Sequence, residues 1–263
     1  MTNTELPEST QAKVHLFGFS FDNVTPAQAA ERVIELSASG NSGHYVVTPN
    51  LDHALILHRR PELQPVYSDA SLVLADGQPI VWASRWFGRS LVGRVAGSDL
   101  VPEVFRRVQR ETRVFLLGAG PGVAARAAER ISREFPKVRV VGVNSPPFGF
   151  EKHPDQNESV VFEVARAEPE ILVVGFGAPK QEIWAYQERT RLNSAVILCA
   201  GATIDFLAGE RARAPQWFQK YGLEWLYRTL EEPKRLAPRY AADAALFPRL
   251  LIKQWLKDVG LIS

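Results

Sequence analysis

From Arg113 to Gly201, short apolar runs alternate with helical patterns, and this regular beat constrains the fold more than any other feature of the chain. RVFLLG (113–118), VRVVGV (138–143), ILVVGFG (171–177) and AVILCAG (195–201) are apolar nearly throughout, while helical patterns occupy about 122–135, 158–167 and 180–192. Runs that are apolar throughout, rather than at every second residue, suit strands covered on both faces. Parallel sheets are covered in that way because their crossover helices lie on each side. The expected fold is therefore α/β, a doubly wound, largely parallel, Rossmann-like sheet. Upstream, KVHLFGF (13–19), HYVVTPN (44–50) and SLVLADG (71–77) read as further strands. Thr25-Pro26 opens a helix that runs to about Ser37, as an N-cap followed by proline at the first helical position. Ser98 and Asp99 read as the cap of another helix, ending near Gln109.

Charge divides the chain where the beat stops. The whole molecule carries only +2, which argues against nucleic acid as a partner, but residues 211–263 hold ten Lys/Arg against five Asp/Glu. The expected organisation is an α/β catalytic core over 13–210 and a basic, helical C-terminal appendage over 211–263. After Pro238 the chain reads RYAADAALFPRLLIKQWLKDVG, with Pro248 placed as a first helical residue. Arg249, Lys253 and Lys257 form a basic stripe there. Phe247, Leu250, Leu251, Ile252, Trp255 and Leu256 cover most of the remainder, with Gln254 as the interruption. Such a helix either packs on the core or on a second copy in a homo-oligomer, or lies in an anionic headgroup layer. No run reaches the roughly 18 apolar residues of a membrane span, and MTNTELPEST lacks a basic-then-apolar leader. With a single cysteine, Cys199, in an apolar run, these features suit a reducing cytoplasm, and the headgroup-layer reading of the last helix would make the protein peripheral on a membrane.

The strand ends carry the polar residues, and ligands of open α/β sheets bind along that edge. Gly118, Gly120 and Gly122 join a strand to a helix, where free N–H groups and the helix dipole favour phosphate, although a merely tight turn has the same look. The spacing is GxGxG, and the place after the next strand where a dinucleotide enzyme holds its ribose reads Gly142-Val-Asn144, without an acid. Asp76 before Gly77 is either a general base on an alcohol or a cap for the following helix. Thr48 and Asn50 offer a hydroxyl and an amide, with capping the competing role. Lys180, Gln181 and Glu182 open a helix, where Glu182 complements the dipole. Asp205 caps a turn or holds a ribose hydroxyl. The chain has no D-x-D and no His/Cys cluster of metal spacing, so no metal site and no cofactor are expected. A leaving diphosphate would then rely on Arg94, Lys180, Arg211, Arg213 and Arg228, each of which is otherwise a solvated surface charge.

Taken together, TPNLDHA (48–54), LADGQPIVWASRWFG (74–88), RVAGSDL (94–100), VFLLGAGPGVAARAA (114–128), PPFGFE (146–151), VVGFGAPKQEIW (173–184) and the segment from GATIDFLAG to PKRLAPRY (201–240) resemble the WecG/TagA/CpsF bacterial glycosyltransferases. The resemblance runs in family order over about 14–240. It implies an inverting, metal-independent enzyme that moves a sugar from a UDP-sugar donor to an undecaprenyl-diphosphate-linked monosaccharide, in surface or exopolysaccharide synthesis. On that pattern Asp76 is the base, and Thr48 and Gln181 stand at the reacting centre. Asn50 and Asp205 contact the nucleotide sugar, and Arg211, Arg213 and Arg228 close over the diphosphate. Ala202 and Ile204 depart from the commoner residues of the family, and the PPFGFE form leans toward glucose or a related hexose. Two other classes compete: a nucleotide-dependent oxidoreductase, which the missing acid at Asn144 disfavours, and a non-catalytic nucleotide or lipid-carrier binding protein.

Overall fold

The computed structural model describes residues 13–194, 196–210, 218, 224–231 and 233–261. β1 (Val14–Leu16) and β2 (Phe19–Phe21) pair antiparallel as a separate hairpin. β3 (His44–Val47), β4 (Leu72–Val73), β5 (Thr112–Gly118), β6 (Val138–Asn144), β7 (Ile171–Gly175) and β8 (Val196–Cys199) make one sheet in the order β4-β3-β8-β7-β5-β6. Every pairing in this sheet is parallel. The helices are α1 (Pro26–Ala38), α2 (Leu51–Arg59), α3 (Gln64–Ser68), α4 (Gln78–Trp86), α5 (Gly97–Arg107), α6 (Val123–Glu134), α7 (Pro154–Ala167), α8 (Lys180–Glu188), α9 (Thr203–Ala208), α10 (Glu224–Glu231) and α11 (Pro233–Asp258).

The apolar strands feed two cores because successive side chains point to opposite faces. Val114, Leu116, Ile171, Val173, Val196 and Leu198 pack against α1, α5 and α6. Phe115, Leu117, Leu172, Val174, Ile197 and Cys199 pack against the hairpin, α2, α3, α7 and α8. Each such side chain contributes about 1.5–3 kcal/mol when removed from water, and both faces are filled. This is the expected doubly wound arrangement.

Three local expectations are corrected. Residues 13–19 do not form one strand: the chain reverses at Phe17 (φ 53) and Gly18 (φ 88), both left-handed, as two-residue turns between antiparallel strands require. Pro248 does not begin the last helix, since α11 starts at Pro233 and runs through it. Pro248 and Ala244 are both exposed, so the carbonyl that loses its donor lies on the solvent side. The N-cap of α5 is Ala96, with Ser98 and Asp99 inside the first turn, where an acid still complements the dipole.

The C-terminal half of α11 packs on the body. Leu250 is buried, Phe247 meets Phe17 edge-on at 6.2 Å, and Gln254 Oε1 accepts the Phe17 backbone N–H at 2.9 Å. Gln254, the interruption in the apolar face, is therefore the residue that satisfies the buried turn. Among the described residues no helix is long and apolar enough to cross a membrane.

Candidate active site

The strand order sets where the loops open. β5 leads through α6 outward to β6, while β7 leads through α8 in the opposite direction to β8, so the connections diverge beyond the C-terminal ends of β5 and β7. The backbones meet closely there: a Cβ on Gly118 would lie 2.6 Å from Gly175 O, and one on Gly175 would lie 2.7 Å from Gly201 O. Gly118 (φ 117) turns the chain out of the strand, and Gly122 (φ 76) is the left-handed N-cap of α6. Ser145 Oγ donates to Gly118 O at 3.0 Å and braces the glycine loop. The Gly118, Gly120 and Gly122 segment thus stands at the opening of the sheet, with the N-terminus of α6 behind it.

The second group gathers at the ends of β3, β4 and β8. Asp76 N donates to Pro49 O at 3.1 Å, which sets the Asp76 turn against Thr48 and Asn50. The N-cap of α4 is Gly77 (φ 102), without a side-chain cap bond, so Asp76 stands one residue before the cap and outside the helix. Thr48 Oγ1 donates to Cys199 O at 3.4 Å and is nearly buried. Val95 N donates to Ala75 O at 2.8 Å and brings Arg94 to the same loops, where its guanidinium pairs with Asp99 at 2.9 Å. Asp205 lies in the first turn of α9, just after Gly201. Lys180 begins α8, and its ammonium sits 3.7 Å over the Phe148 ring, a favourable cation–π contact. Arg211 and Arg213 lie outside the described residues. Arg228 falls on α10, and its side chain is likewise outside what is described.

A buried polar chain joins these loops, and spacing alone gives no sign of it. Asn50 caps α2, its Oδ1 taking His53 N at 3.3 Å, so the competing role for Asn50 is real. His53 Nδ1 lies 2.8 Å from Asn50 Oδ1, and His53 Nε2 lies 3.2 Å from Glu182 Oε1. Gln181 Nε2 donates to the same Glu182 oxygen at 2.7 Å, while Gln181 Oε1 accepts Gly177 N and Gly201 N at 3.2 Å each. Burial pulls the His53 pKa down, but the Glu182 hydrogen bond and charge, helped by Asp52 and Asp76, raise it overall. Asn50 N donates to His53 Nδ1 at 3.3 Å and closes the α2 capping box, while Nε2 faces the Glu182 carboxylate. Glu182 is 1% exposed and Gln181 3%. Gln181 therefore ties the loops after β7 and β8 together. Beyond dipole complementation, Glu182 is the centre of the network. Desolvation and the Glu182 charge push the Cys199 thiol upward, so it stays neutral and unreactive. Among the described residues no three His, Cys, Asp or Glu side chains converge as a metal cluster.

The chain is 34% identical over 196 residues, 74% of each sequence, to an N-acetylglucosaminyldiphosphoundecaprenol N-acetyl-beta-D-mannosaminyltransferase of Bacillus spizizenii. It is 29% identical over 234 residues, 87% of this chain and 88% of the relative, to the enzyme of the same name from Staphylococcus aureus. The family model of the WecG/TagA/CpsF glycosyl transferases matches residues 14–259, and the chain belongs to that family.

Proposed function

We propose that this glycosyltransferase moves a sugar from a UDP-sugar to an undecaprenyl-diphosphate-linked monosaccharide, with inversion and without a metal ion, and that Asp76 is the general base. The observation that carries the reading is the setting of Asp76. It lies at the C-terminal edge of the sheet, outside α4, and is hydrogen-bonded through its backbone to the Thr48–Asn50 turn. In a single displacement the acceptor hydroxyl oxygen attacks the anomeric carbon as Asp76 takes its proton, and the bond to the diphosphate breaks with its electrons leaving on UDP. The negative charge that develops falls to the Gly118–Gly122 N–H groups, Lys180, Arg94, Arg211, Arg213 and Arg228. Asp205 and Asn50 hold the nucleotide sugar, and Thr48 faces the reacting centre. Gln181, with both ends of its amide engaged, works by fixing the Gly177 and Gly201 loops.

The names of the relatives put UDP-N-acetylmannosamine in the donor panel, and the PPFGFE segment adds UDP-glucose. An acceptor tied to a lipid places the work at the inner face of the cytoplasmic membrane, and the basic 211–263 segment is the contact we assign to anionic lipid. Asp76→Asn is expected to lower turnover by about 10²–10⁴-fold, with UDP affinity unchanged in calorimetry. Turnover close to that of the unmodified enzyme would remove Asp76 from the role.

A further inference from the structure

Two tryptophans on α4 stand out in a molecule that buries most of its large apolar side chains. Trp82 is 50% exposed and Trp86 is 78% exposed. They are four residues apart, so they share one face of the helix, with the exposed Arg85 between them. The opposite face, Ile80, Val81, Ala83 and Ser84, is buried. Folding alone leaves this aromatic face unexplained. α4 begins two residues after Asp76, so its first turn adjoins the reacting edge.

The last helix presents a similar face beside it. Arg89, three residues after Trp86, donates to His15 O at 2.8 Å and pairs with Asp258 at 2.7 Å, which clips the end of α4 to the end of α11. At about 3.6 residues per turn, Trp255 lies next to Asp258 on the flank toward α4. Trp255 (53%), Ile252 (58%) and Val259 (49%) form the outward arc of α11. Arg249, Lys253 and Lys257 run down the other flank, where Lys253 Nζ reaches His58 Nδ1 at 3.2 Å. The Arg89–Asp258 pair thus ties the chain three residues after Trp86 to the helical turn that begins at Trp255.

We propose that α4 and α11 together form one bilayer-seating surface, in which Trp82 and Trp86 enter the headgroup layer alongside Trp255 and Ile252. This rests on the reading that the acceptor is lipid-linked and the enzyme peripheral, and extends it from the C-terminal segment to a second arm at the active site. Tryptophan suits the boundary because its ring is apolar while its N–H keeps a polar partner. Arg85 and the basic flank of α11 complement anionic phosphates. Seating both arms holds Asp76 at headgroup level, where the diphosphate of a lipid-anchored acceptor must lie.

The test uses the full chain with phosphatidylcholine vesicles, with and without phosphatidylglycerol. It compares the unmodified enzyme, Trp82→Gln/Trp86→Gln, and Arg249→Gln/Lys257→Gln. Partition is read by sedimentation, and transfer is read on a long-chain acceptor in vesicles and on a short-chain, water-soluble one. The tryptophan variant is expected to lose partition by about tenfold or more and to lose turnover on the long-chain acceptor in step. Its turnover on the soluble acceptor should be unchanged. The basic variant should lose partition only where phosphatidylglycerol is present. If the double substitution lowers the melting temperature, Trp86→Gln alone, at the more exposed position, carries the comparison. Unchanged partition of the tryptophan variant beside binding by the unmodified chain overturns the α4 arm and leaves the C-terminal contact standing. Failure of the unmodified chain to partition while it still turns over the soluble acceptor overturns both. Equal losses on the two acceptors, or a change of oligomeric state without a change in partition, assigns the tryptophans to the site or to a second copy and overturns the proposal.

Discussion

Replacing Glu182 by Gln tests the buried network with little change of shape. One Glu182 oxygen, Oε1, accepts from both His53 Nε2 and Gln181 Nε2, while Oε2 is buried without a hydrogen-bond partner. A glutamine whose oxygen takes the Oε1 place keeps both acceptor contacts, so the substitution mainly removes the charge that faces His53. Hydrogen bonds between charged groups contribute about 1.5–3 kcal/mol, and chains of this size shift by roughly 2–4 °C per kcal/mol. The His53 pKa is raised in the folded protein. A raised pKa means that the stabilisation is complete below the unfolded value of about 6.5 and is lost as pH climbs through the folded value. The melting temperature of Glu182→Gln should therefore fall about 5–10 °C below that of the unmodified protein near pH 6, and the gap should narrow steadily toward pH 9. Paired thermal melts by circular dichroism across that range read the difference directly. A gap that stays constant, or widens with pH, would refute the assignment of the stabilising charge to the His53 imidazolium.

The parts of the fold legible in the sequence are those that local chemistry dictates. Val114 to Leu117 and Ile171 to Val174 are apolar on both faces, which only a covered parallel strand needs, and Thr25-Pro26 marks the start of its own helix. The hairpin is hidden because Phe17 occupies a left-handed position where Asn or Gly is the usual signal. What holds it there is Gln254, 237 residues away. For the same reason Gln254 reads as a flaw in an amphipathic helix until its partner is known. The site divides in the same manner. Asp76 and Asn50 are visible as polar residues at strand ends. Their difference in role, one outside its helix and the other inside a capping box, depends on backbone geometry that composition does not record. The link from His53 to Glu182 spans 129 residues, and no spacing rule reaches that far. The sequence alone gives Trp82 and Trp86 no direction, and it is the burial of the opposite face of α4 that shows them pointing outward.

Two further outcomes are expected. Activity should survive EDTA, because the charge of the leaving diphosphate is assigned to arginines, Lys180 and loop N–H groups; a loss that Mg²⁺ or Mn²⁺ restores would refute this. Gly118→Ala should be far more damaging than its size suggests. The new Cβ would lie 2.6 Å from Gly175 O and 2.8 Å from Gly175 C, both backbone atoms of a paired strand that cannot swing aside as a side chain does. The residue must also keep φ 117, which costs an L-residue about 1–3 kcal/mol, and the overlap adds roughly 1–3 kcal/mol more. Gly88→Ala supplies the comparison, since Gly88 is also left-handed (φ 67) but a Cβ there would meet nothing within 4 Å. Chemical denaturation should therefore show Gly118→Ala losing several-fold more stability than Gly88→Ala. Because the overlap prises β5 from β7 where the glycine loop opens, UDP affinity should fall in the Gly118 variant and hold in the other. Equal losses in the two variants would mean that backbone conformation, not the closeness of the two strands, is what requires glycine at 118.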